Sequence, residues 1–198
     1  MIENRDYERA DFSEETEMPE KLEHRRFSDC RFNSLSFSET KLEGCVFERC
    51  SFDFTHISGD ITKCAFLNCS FRYADLLGAE FIGCKMTGSD LSQLSRAAYS
   101  IDGGDWSFTE ISKLYLKNRD LHELNLTGAN IFDCRFEGCK LGGVRFDNSV
   151  INRLSLKKSD IRGASFNLVN LAQIDFKGCI ADLEFCIIFA KANGIIVR

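Results

Sequence analysis

The sequence predicts an all-β protein in which the chain winds into about eight stacked, four-sided coils, that is, a parallel β-helix. Three observations indicate this fold. Apolar residues recur at every fifth position through most of the 198 residues, a small residue often stands two positions before them, and nine of the ten cysteines occupy that small position. Because a period of five fits neither an α-helix nor a plain strand, each pentad is predicted to form a very short strand followed by a turn.

The apolar period is nearly continuous. Stepping by five from Leu22, every position as far as Ile57 is apolar. The frame slips by one residue before Ile61 and then continues to Phe176, with Arg96 as its single charged member. Residues two apart point to the same face of an extended segment, so each pentad turns one small and one large side chain inward. Four pentads make one coil, and neighbouring coils are expected to pair as parallel strands.

The cysteines are interpreted as buried packing residues. Apart from Cys186 they stand at the inward small position, and most fall into two columns: Cys45, Cys64 and Cys84 in one, and Cys30, Cys50 and Cys69 in the other. A zinc site needs ligands that converge tetrahedrally, which ladders of thiols in a dry core do not supply. Disulfides would require an oxidising compartment. The sequence therefore predicts no metal and no cofactor.

Five pentads show the repeat most clearly: ADLLG (74–78), SDLSQ (89–93), CRFEG (134–138), SDIRG (159–163) and ASFNL (164–168). On this pattern the chain resembles the pentapeptide repeat family over residues 22–180, and the resemblance implies a right-handed quadrilateral β-helix. Residues 1–21 are then an N-terminal lead or capping segment. Its acidic run, SEETEMPE, is expected to leave the coil and shield the open end from edge-to-edge association.

The C-terminal segment, ADLEFCIIFAKANGIIVR (181–198), is predicted to form a short helix. Asp182 suits the N-cap, and Asn193-Gly194 suits a helix stop. The segment resembles the closing segment of the Qnr and MfpA group of quinolone-resistance proteins, which implies a tail-to-tail homodimer. A cap that merely covers the last coil is the alternative. The residues assigned to dimerisation are Leu183, Phe185, Ile187, Ile188, Phe189, Ile195, Ile196 and Val197.

One predicted face of the rod carries an excess of carboxylates. This acidic face is centred on the column that begins with Leu22 and Leu42 and ends with Ile161. In the Qnr and MfpA group an acidic rod imitates duplex DNA and engages DNA gyrase or topoisomerase IV, so the resemblance implies a partner-binding role here. Ordinary solvation of a solenoid's outer faces is the alternative. The candidate residues are Glu43, Asp60, Glu80, Asp102, Asp120, Glu123 and Asp160. The neighbouring face, centred on Leu116, Phe136, Leu156 and Phe176, is basic toward its end.

Residues 92–106 keep the spacing of five but place unsuitable residue types at the inward positions, since Leu94 and Tyr99 are large and Arg96 is charged. The stretch is interpreted either as a bulged coil or as a projecting loop, with Arg96 either outside the coil or buried against carbonyl groups. Qnr proteins carry loops that interrupt the coil, whereas this stretch keeps its phase. The irregular residues are Leu94, Arg96, Tyr99, Gly103 and Gly104.

The sequence offers no nucleophile–base pair, phosphate loop or carboxylate pair in a cleft, so we predict that the protein is not an enzyme. It shows neither a secretory signal nor a membrane span, and a cytoplasmic location without membrane or direct nucleic-acid contact is expected. The favoured hypothesis is a homodimeric interaction protein that binds DNA gyrase or topoisomerase IV. It would modulate the enzyme or protect it from quinolones or a natural poison. The alternative is a structural or adaptor solenoid with another protein partner.

Overall fold

The computed structural model describes residues 2, 4–15 and 18–197. The chain is a parallel β-helix of about eight coils that ends in one short helix, as the sequence predicted. The elements are β1 (Asp6–Glu8), β2 (Lys21–Glu23), β3 (Arg26–Ser28), β4 (Lys41–Glu43), β5 (Val46–Glu48), β6 (Gly59–Thr62), β7 (Ala65–Leu67), β8 (Ala79–Ile82), β9 (Asp90–Leu91), β10 (Ser100–Asp102), β11 (Glu110–Ser112), β12 (Tyr115–Lys117), β13 (Asn130–Glu137), β14 (Val150–Ser155), a 3-10 helix (Leu171–Gln173), β15 (Ile174–Asp175) and α1 (Leu183–Ala192).

The strands form three parallel sheets that run along the rod. The acidic face holds the order β10-β8-β6-β4-β2, and the next face, named the Phe27 face after its first buried residue, holds β1-β3-β5-β7. The third sheet has the order β15-β14-β13-β11-β9, and β12 pairs beside it with β13. It covers the face that begins with Phe32 and continues onto the basic face, which is the face centred on Leu116, Phe136, Leu156 and Phe176. The turn occurs within β13 at Asp133, whose φ is +53°. Isolated bridges such as Arg31 to Ser51 continue the ladder where named strands are absent.

The strand register follows the pentad count. Leu22 pairs with Leu42, and Leu42 in turn pairs with Ile61. The second step is one residue shorter than the first, which places the predicted slip in the acidic-face ladder. The N-terminal segment contributes to the neighbouring ladder, because Asp6–Glu8 pairs with β3. The coil therefore begins before residue 22, the start predicted from the period. Part of the acidic run 13–20, namely residues 16 and 17, lies outside the described residues.

Many corners require a residue in the left-handed region. Non-glycine residues accept this conformation at several corners, for example Arg49 at φ +51° and Asn68 at φ +53°. Gly128 is needed for a second reason, since a Cβ there would lie 2.5 Å from the ring of Phe108 on the preceding coil. The corner side chain of one coil thus leans over the next coil, where a glycine leaves room for it.

The core is filled by columns of large side chains. Phe12, Phe32, Phe52 and Phe71 stack with ring centroids 4.9–5.1 Å apart. Rings of the Phe27 column meet them edge to face, as Phe47 meets Phe52 at 5.2 Å. Such contacts add to the free energy gained by burying the rings. Toward the C-terminus Leu and Ile take over most of the inward positions. Phe176, at the last coil, is only half-buried.

The small inward positions explain why thiols and hydroxyls recur there. The Sγ of Cys50 donates to the carbonyl oxygen of Phe27 at 3.4 Å, and Ser89 Oγ in the same column donates to that of Phe66 at 2.9 Å. Each donor reaches a carbonyl on the coil before. Eight of the ten cysteines are buried, Cys179 is half-buried and Cys186 is exposed, and all are free thiols. Burial raises the pKa of the Cys84 thiol to about 11, which disfavours the reactive thiolate.

The irregular coil does not project as a loop. The register lengthens by one residue where Asp75 pairs with Arg96, and it returns to its regular length where Glu80 pairs with Ser100. Ala97 packs against the core where the count of five placed Arg96. The side chain of Arg96 is 62% exposed, so the interpretation that it is buried against carbonyl groups is wrong. One residue is thus inserted before Arg96 and one is missing between Arg96 and Ser100. These two changes cancel, so counting by five along the sequence does not reveal either of them.

Tyr99 places a large ring inside the coil, two residues before the core residue Ile101, where most pentads have a small side chain. Its ring is buried, stacks on Trp106 at 6.1 Å and meets Phe81 edge to face at 5.9 Å. Leu94 is half-buried against the core. The Tyr99 hydroxyl and Trp106 Nε1 find no hydrogen-bond partner among the described residues. This coil is therefore packed by large aromatic rings, at the expense of two buried polar atoms.

The C-terminal helix is anchored to the last coil. Asp182 caps it, with Oδ1 accepting from the Phe185 backbone N at 2.8 Å and Oδ2 accepting from that of Gly163 at 2.8 Å. The helix ends at Ala192, followed by Gly194 at φ +79°, as predicted. Within residues 2, 4–15 and 18–197 no helix combines the length and apolar character needed to cross a membrane.

Candidate interaction surfaces

The functional candidates lie on the outside of the rod. Large and small side chains fill the interior of the described coils. The described residues also contain no group of three or more His, Cys, Asp or Glu side chains placed to hold a metal ion. The surfaces that the sequence singled out are the acidic face, the irregular coil and the C-terminal segment.

Two carboxylates of the acidic face are offset by a cation of the same pentad. Lys41 Nζ lies 2.9 Å from Glu43 Oε2, and Arg162 Nη2 lies 2.5 Å from Asp160 Oδ2. Hydrogen bonds from these cations lower the pKa of Glu43, and they lower the pKa of Asp160 to about 2. Both carboxylates stay ionised far below neutral pH, but each of their charges is balanced locally.

Two more carboxylates are offset by cations from other positions. The ring of His122 hydrogen-bonds Asp120 and lowers its pKa, and Lys140 Nζ lies 3.5 Å from the same carboxylate. Arg119 Nη2 lies 3.5 Å from Glu80, which is two coils away. The charge balance drawn from the sequence assigned neither Arg119 nor His122 to this face. The acidic face is consequently closer to neutral than its sequence indicates.

Three carboxylates of the acidic face keep an unbalanced charge. Asp60, Asp102 and Glu123 are exposed, and none of them forms an ion pair or side-chain hydrogen bond with another described residue. The structure thus places all seven predicted carboxylates on the outside of one face. Only these three are available to a partner without first giving up a cation.

The C-terminal segment divides into a buried and an exposed part. Phe185 is buried, and its ring lies 5.3 Å from Phe166 and 5.0 Å from Phe176. It therefore caps the last coil, in keeping with the alternative interpretation of this segment, and Ile187 is half-buried. The other residues assigned to dimerisation are exposed and define the C-terminal apolar surface: Leu183, Ile188, Phe189, Ile195, Ile196 and Val197.

The irregular coil offers little to a partner. Arg96 turns outward, and its Nε lies 3.5 Å from Asp75 Oδ2. Gly103 and Gly104 both take positive φ and stay within the coil. A Cβ at Gly104 would lie 2.1 Å from the carbonyl oxygen of Cys84, so this glycine is required by close packing of the two backbones.

Comparisons with known proteins agree with this architecture. Residues 114–148 and 129–167 match the family model described as pentapeptide repeats (8 copies), and residues 5–91 match the model described as the SV2A/B/C luminal domain. A search of curated protein sequences gave no match. The two family models therefore match separate parts of the rod.

Solved structures of QnrB1, a plasmid-mediated fluoroquinolone resistance protein, resemble the whole chain. Two trypsin-treated forms are 21% and 20% identical, with TM-scores of 0.79 and 0.76, and the match covers 98% of this chain and 97% of each of them. Full-length QnrB1 is 19% identical, with a TM-score of 0.57, over 88% of this chain and 90% of its own. Residues 114–167 of this chain match pentapeptide repeats, and its overall fold resembles that of the Qnr structures. At this level of identity the likeness establishes the fold.

The sequence interpretation overlooked one surface feature of the rod. Phe54 and Tyr73 stand at the same corner of successive coils, are 59% and 54% exposed, and stack with ring centroids 5.1 Å apart. Both follow a core residue by two positions, where a pentapeptide repeat turns its side chain outward. Aromatic residues at that outward position were the available signal. Aromatic side chains are enriched in protein–protein interfaces.

Proposed function

We propose that this protein is a non-catalytic, cytoplasmic interaction protein that binds DNA gyrase or topoisomerase IV. In doing so it modulates the enzyme or protects it from quinolones or a natural topoisomerase poison. The observation that carries the proposal is the extent of the likeness to QnrB1. A match over 98% of this chain includes the terminal helix as well as the coils, which the repeat alone does not dictate.

The acidic face supplies the contact in this proposal. Successive coils lie about 4.8 Å apart, so the carboxylates of the acidic face form a row along the surface of its parallel sheet. Such a line suits a protein groove whose cations normally hold DNA phosphates. Asp102 and Glu123, which lack partners among the described residues, meet those cations directly. The paired carboxylates join them by exchanging an exposed ion pair of small free energy for an intermolecular one.

The C-terminal apolar surface supplies a homodimer in this proposal. Ile196 is 80% exposed and Ile195 is 59% exposed, on a tail that follows directly from the capped helix. Exposed apolar surface of this kind favours association. Pairing two rods by their C-terminal ends covers it and produces a continuous assembly of twice the length.

A supercoiling assay with purified protein tests the proposal. We expect micromolar protein to change the rate of supercoiling by DNA gyrase, or to restore supercoiling in the presence of ciprofloxacin. The double variant Asp102→Lys/Glu123→Lys should lose this effect. Its matched control is Glu39→Lys/Glu110→Lys, which makes the same charge change at exposed positions of other faces and should retain the effect. No effect of the wild-type protein on gyrase or topoisomerase IV would refute the proposal.

A second candidate is an adaptor that binds a different protein. The exposed stack of Phe54 and Tyr73 favours it, because this stack lies away from the acidic face and has no role in the proposed mimicry of DNA. The double variant Phe54→Ala/Tyr73→Ala distinguishes the two. Unchanged action on the topoisomerase is expected under the first proposal, whereas a wild-type protein inert toward both enzymes favours the adaptor.

A further inference from the structure

The net charge of −5 conceals an uneven distribution. Residues 1–20 contain eight of the 30 carboxylates and two of the 25 lysines and arginines. The rest of the chain therefore holds 22 acidic and 23 basic side chains. Beyond its first coil the rod is close to neutral overall. The excess of carboxylates on the acidic face is therefore matched by an excess of cations elsewhere on the rod, and the basic face of the last four coils carries such an excess.

Pairing of β12 to β15 arranges the side chains of this face in rows along the rod. Tyr115 lies opposite Arg135, Arg135 opposite Ser155, and Ser155 opposite Asp175. Lys117 lies opposite Glu137 in the neighbouring row. The same spacing of one coil continues that row to Lys157 and Lys177. With the corner residues included, the cations are Lys113, Lys117, Arg135, Arg153, Lys157, Lys158 and Lys177, and the anions are Asp133, Glu137 and Asp175.

An open groove of about 810 Å³ runs along these rows. Its floor is formed by β13, β14 and β15, and Phe189 of α1 closes one end. Arg135, Arg153, Lys157 and Lys177 all line it. The charged side chains that line it are these four cations and three carboxylates, Asp133, Glu137 and Asp175, so the lining carries a small excess of positive charge.

The cations differ in how far they are already engaged. Arg135 and Lys177 form no ion pair with any described residue. Lys157 Nζ lies 3.1 Å from Asp175 Oδ2, and Arg153 Nη2 lies 3.8 Å from Asp133 Oδ2. These pairs are exposed and screened by water, so a polyanion can displace them at little cost.

The anions within the groove limit what it can hold. Glu137 accepts a hydrogen bond from Ser155 Oγ at 2.8 Å and stands in the row between Lys117 and Lys157. A compact ligand placed there would meet this carboxylate directly. An extended polyanion, in contrast, can place its charges at the cations on either side of it.

We propose that this groove binds the phosphodiester backbone of duplex DNA. Lys157 and Lys177 lie one coil apart, about 4.8 Å, in one row, and Arg135 lies on the coil before Lys157 in the neighbouring row. These three side chains can contact phosphates along one backbone without reading base sequence. The convex backbone of a duplex fits a shallow trough better than a pocket. Such contact would go against the sequence-based expectation of no direct contact with nucleic acid, and the proposal does not depend on any topoisomerase.

Fluorescence anisotropy with a labelled 30-base-pair duplex, in the absence of any topoisomerase, tests the proposal. With three to four phosphate contacts, the logarithm of the binding constant should fall with the logarithm of salt concentration at a slope of about −3. The variant Arg135→Glu/Lys157→Glu/Lys177→Glu should bind at least roughly ten-fold more weakly and with a shallower slope. Thermal unfolding of the variant checks that the exposed changes leave the coil intact.

A matched control separates the groove from the general charge of the protein. Lys21→Glu/Lys41→Glu/Lys63→Glu makes the same change in net charge on the acidic face, and it should weaken binding far less. Glu137→Gln keeps an acceptor for Ser155 Oγ. It should tighten binding by about two-fold or more, because it removes the repulsion between the Glu137 carboxylate and a nearby DNA phosphate. Equal losses in both triple variants, no gain for Glu137→Gln, or equally strong competition by poly-glutamate would overturn the proposal.

Discussion

Replacing Arg96 by leucine tests whether this side chain points into the core, as counting by five along the sequence indicates, or outward, as the strand register shows. By the count, Arg96 occupies an inward position, and replacing buried ionic groups by well-packed hydrophobic residues is often neutral or stabilises a protein by about 1–4 kcal/mol. In the structure Ala97 packs against the core there, and Arg96 lies outside with an exposed contact of 3.5 Å to Asp75. Loss of such a pair changes the free energy of unfolding by less than about 1 kcal/mol. We therefore expect Arg96→Leu to be close to neutral or slightly destabilising.

Urea unfolding followed by circular dichroism measures this free energy. Arg72→Leu is the matched control, because Arg72 is an exposed arginine on a regular coil. Both variants should unfold within about 1 kcal/mol of the wild type. A stabilisation by Arg96→Leu well above that of the control would mean that Arg96 occupies the core, and the register shift described for this coil would be wrong.

Four further predictions concern other parts of the molecule. Cys69→Ser should be nearly neutral and Cys69→Ala should lower the free energy of unfolding by about 1 kcal/mol, because Ser89 already donates the equivalent hydrogen bond in the same column. Urea unfolding checks both, and equal costs would contradict the role of the donor. The pKa of Asp160 is lowered in the folded state, so its contribution to stability is present above pH 4 or so and is lost as the pH falls toward 2. The difference in stability between wild type and Asp160→Asn should shrink over that window, and a difference that grows would contradict the sign. Ile195→Glu/Ile196→Glu should convert a dimer to a monomer in analytical ultracentrifugation without changing the circular dichroism spectrum, and a dimer that persists would remove the proposed interface. Tyr99→Phe keeps the stacking on Trp106 but removes an oxygen without a partner among the described residues, so the free energy of unfolding should rise by about 1 kcal/mol. A loss of stability in the same urea titration would show that the hydroxyl has a partner, such as a buried water.

Much of the fold was predictable because pentad geometry is local. An apolar residue at every fifth position, with a small residue two before it, is enough to place Phe52, Ile111 or Leu156 in the core. The helix was predictable for a similar reason, since Asp182 and Gly194 act on their own backbone neighbours. These signals need no knowledge of what lies on the adjacent coil.

Features that depend on neighbouring coils were not predictable. The contact of Arg119 with Glu80 joins residues two coils apart, and the direction of a long side chain decides which face it serves. The outward position of Arg96 results from an insertion and a deletion that cancel, so that counting along the chain cannot detect either. The exposed stack of Phe54 and Tyr73 was visible as an unusual pair of residues, but its geometry required the register.

Because each coil pairs with the next as parallel strands, surface features on successive coils are separated by a constant distance along the rod. Adding or removing one complete coil of regular pentads between two surface features should shift them apart or together by about 4.8 Å, with only the small rotation contributed by sheet twist. The separation between the acidic carboxylates and the C-terminal tail is therefore adjustable in fixed increments. Rods shortened or lengthened in this way would reveal whether a partner demands one particular spacing.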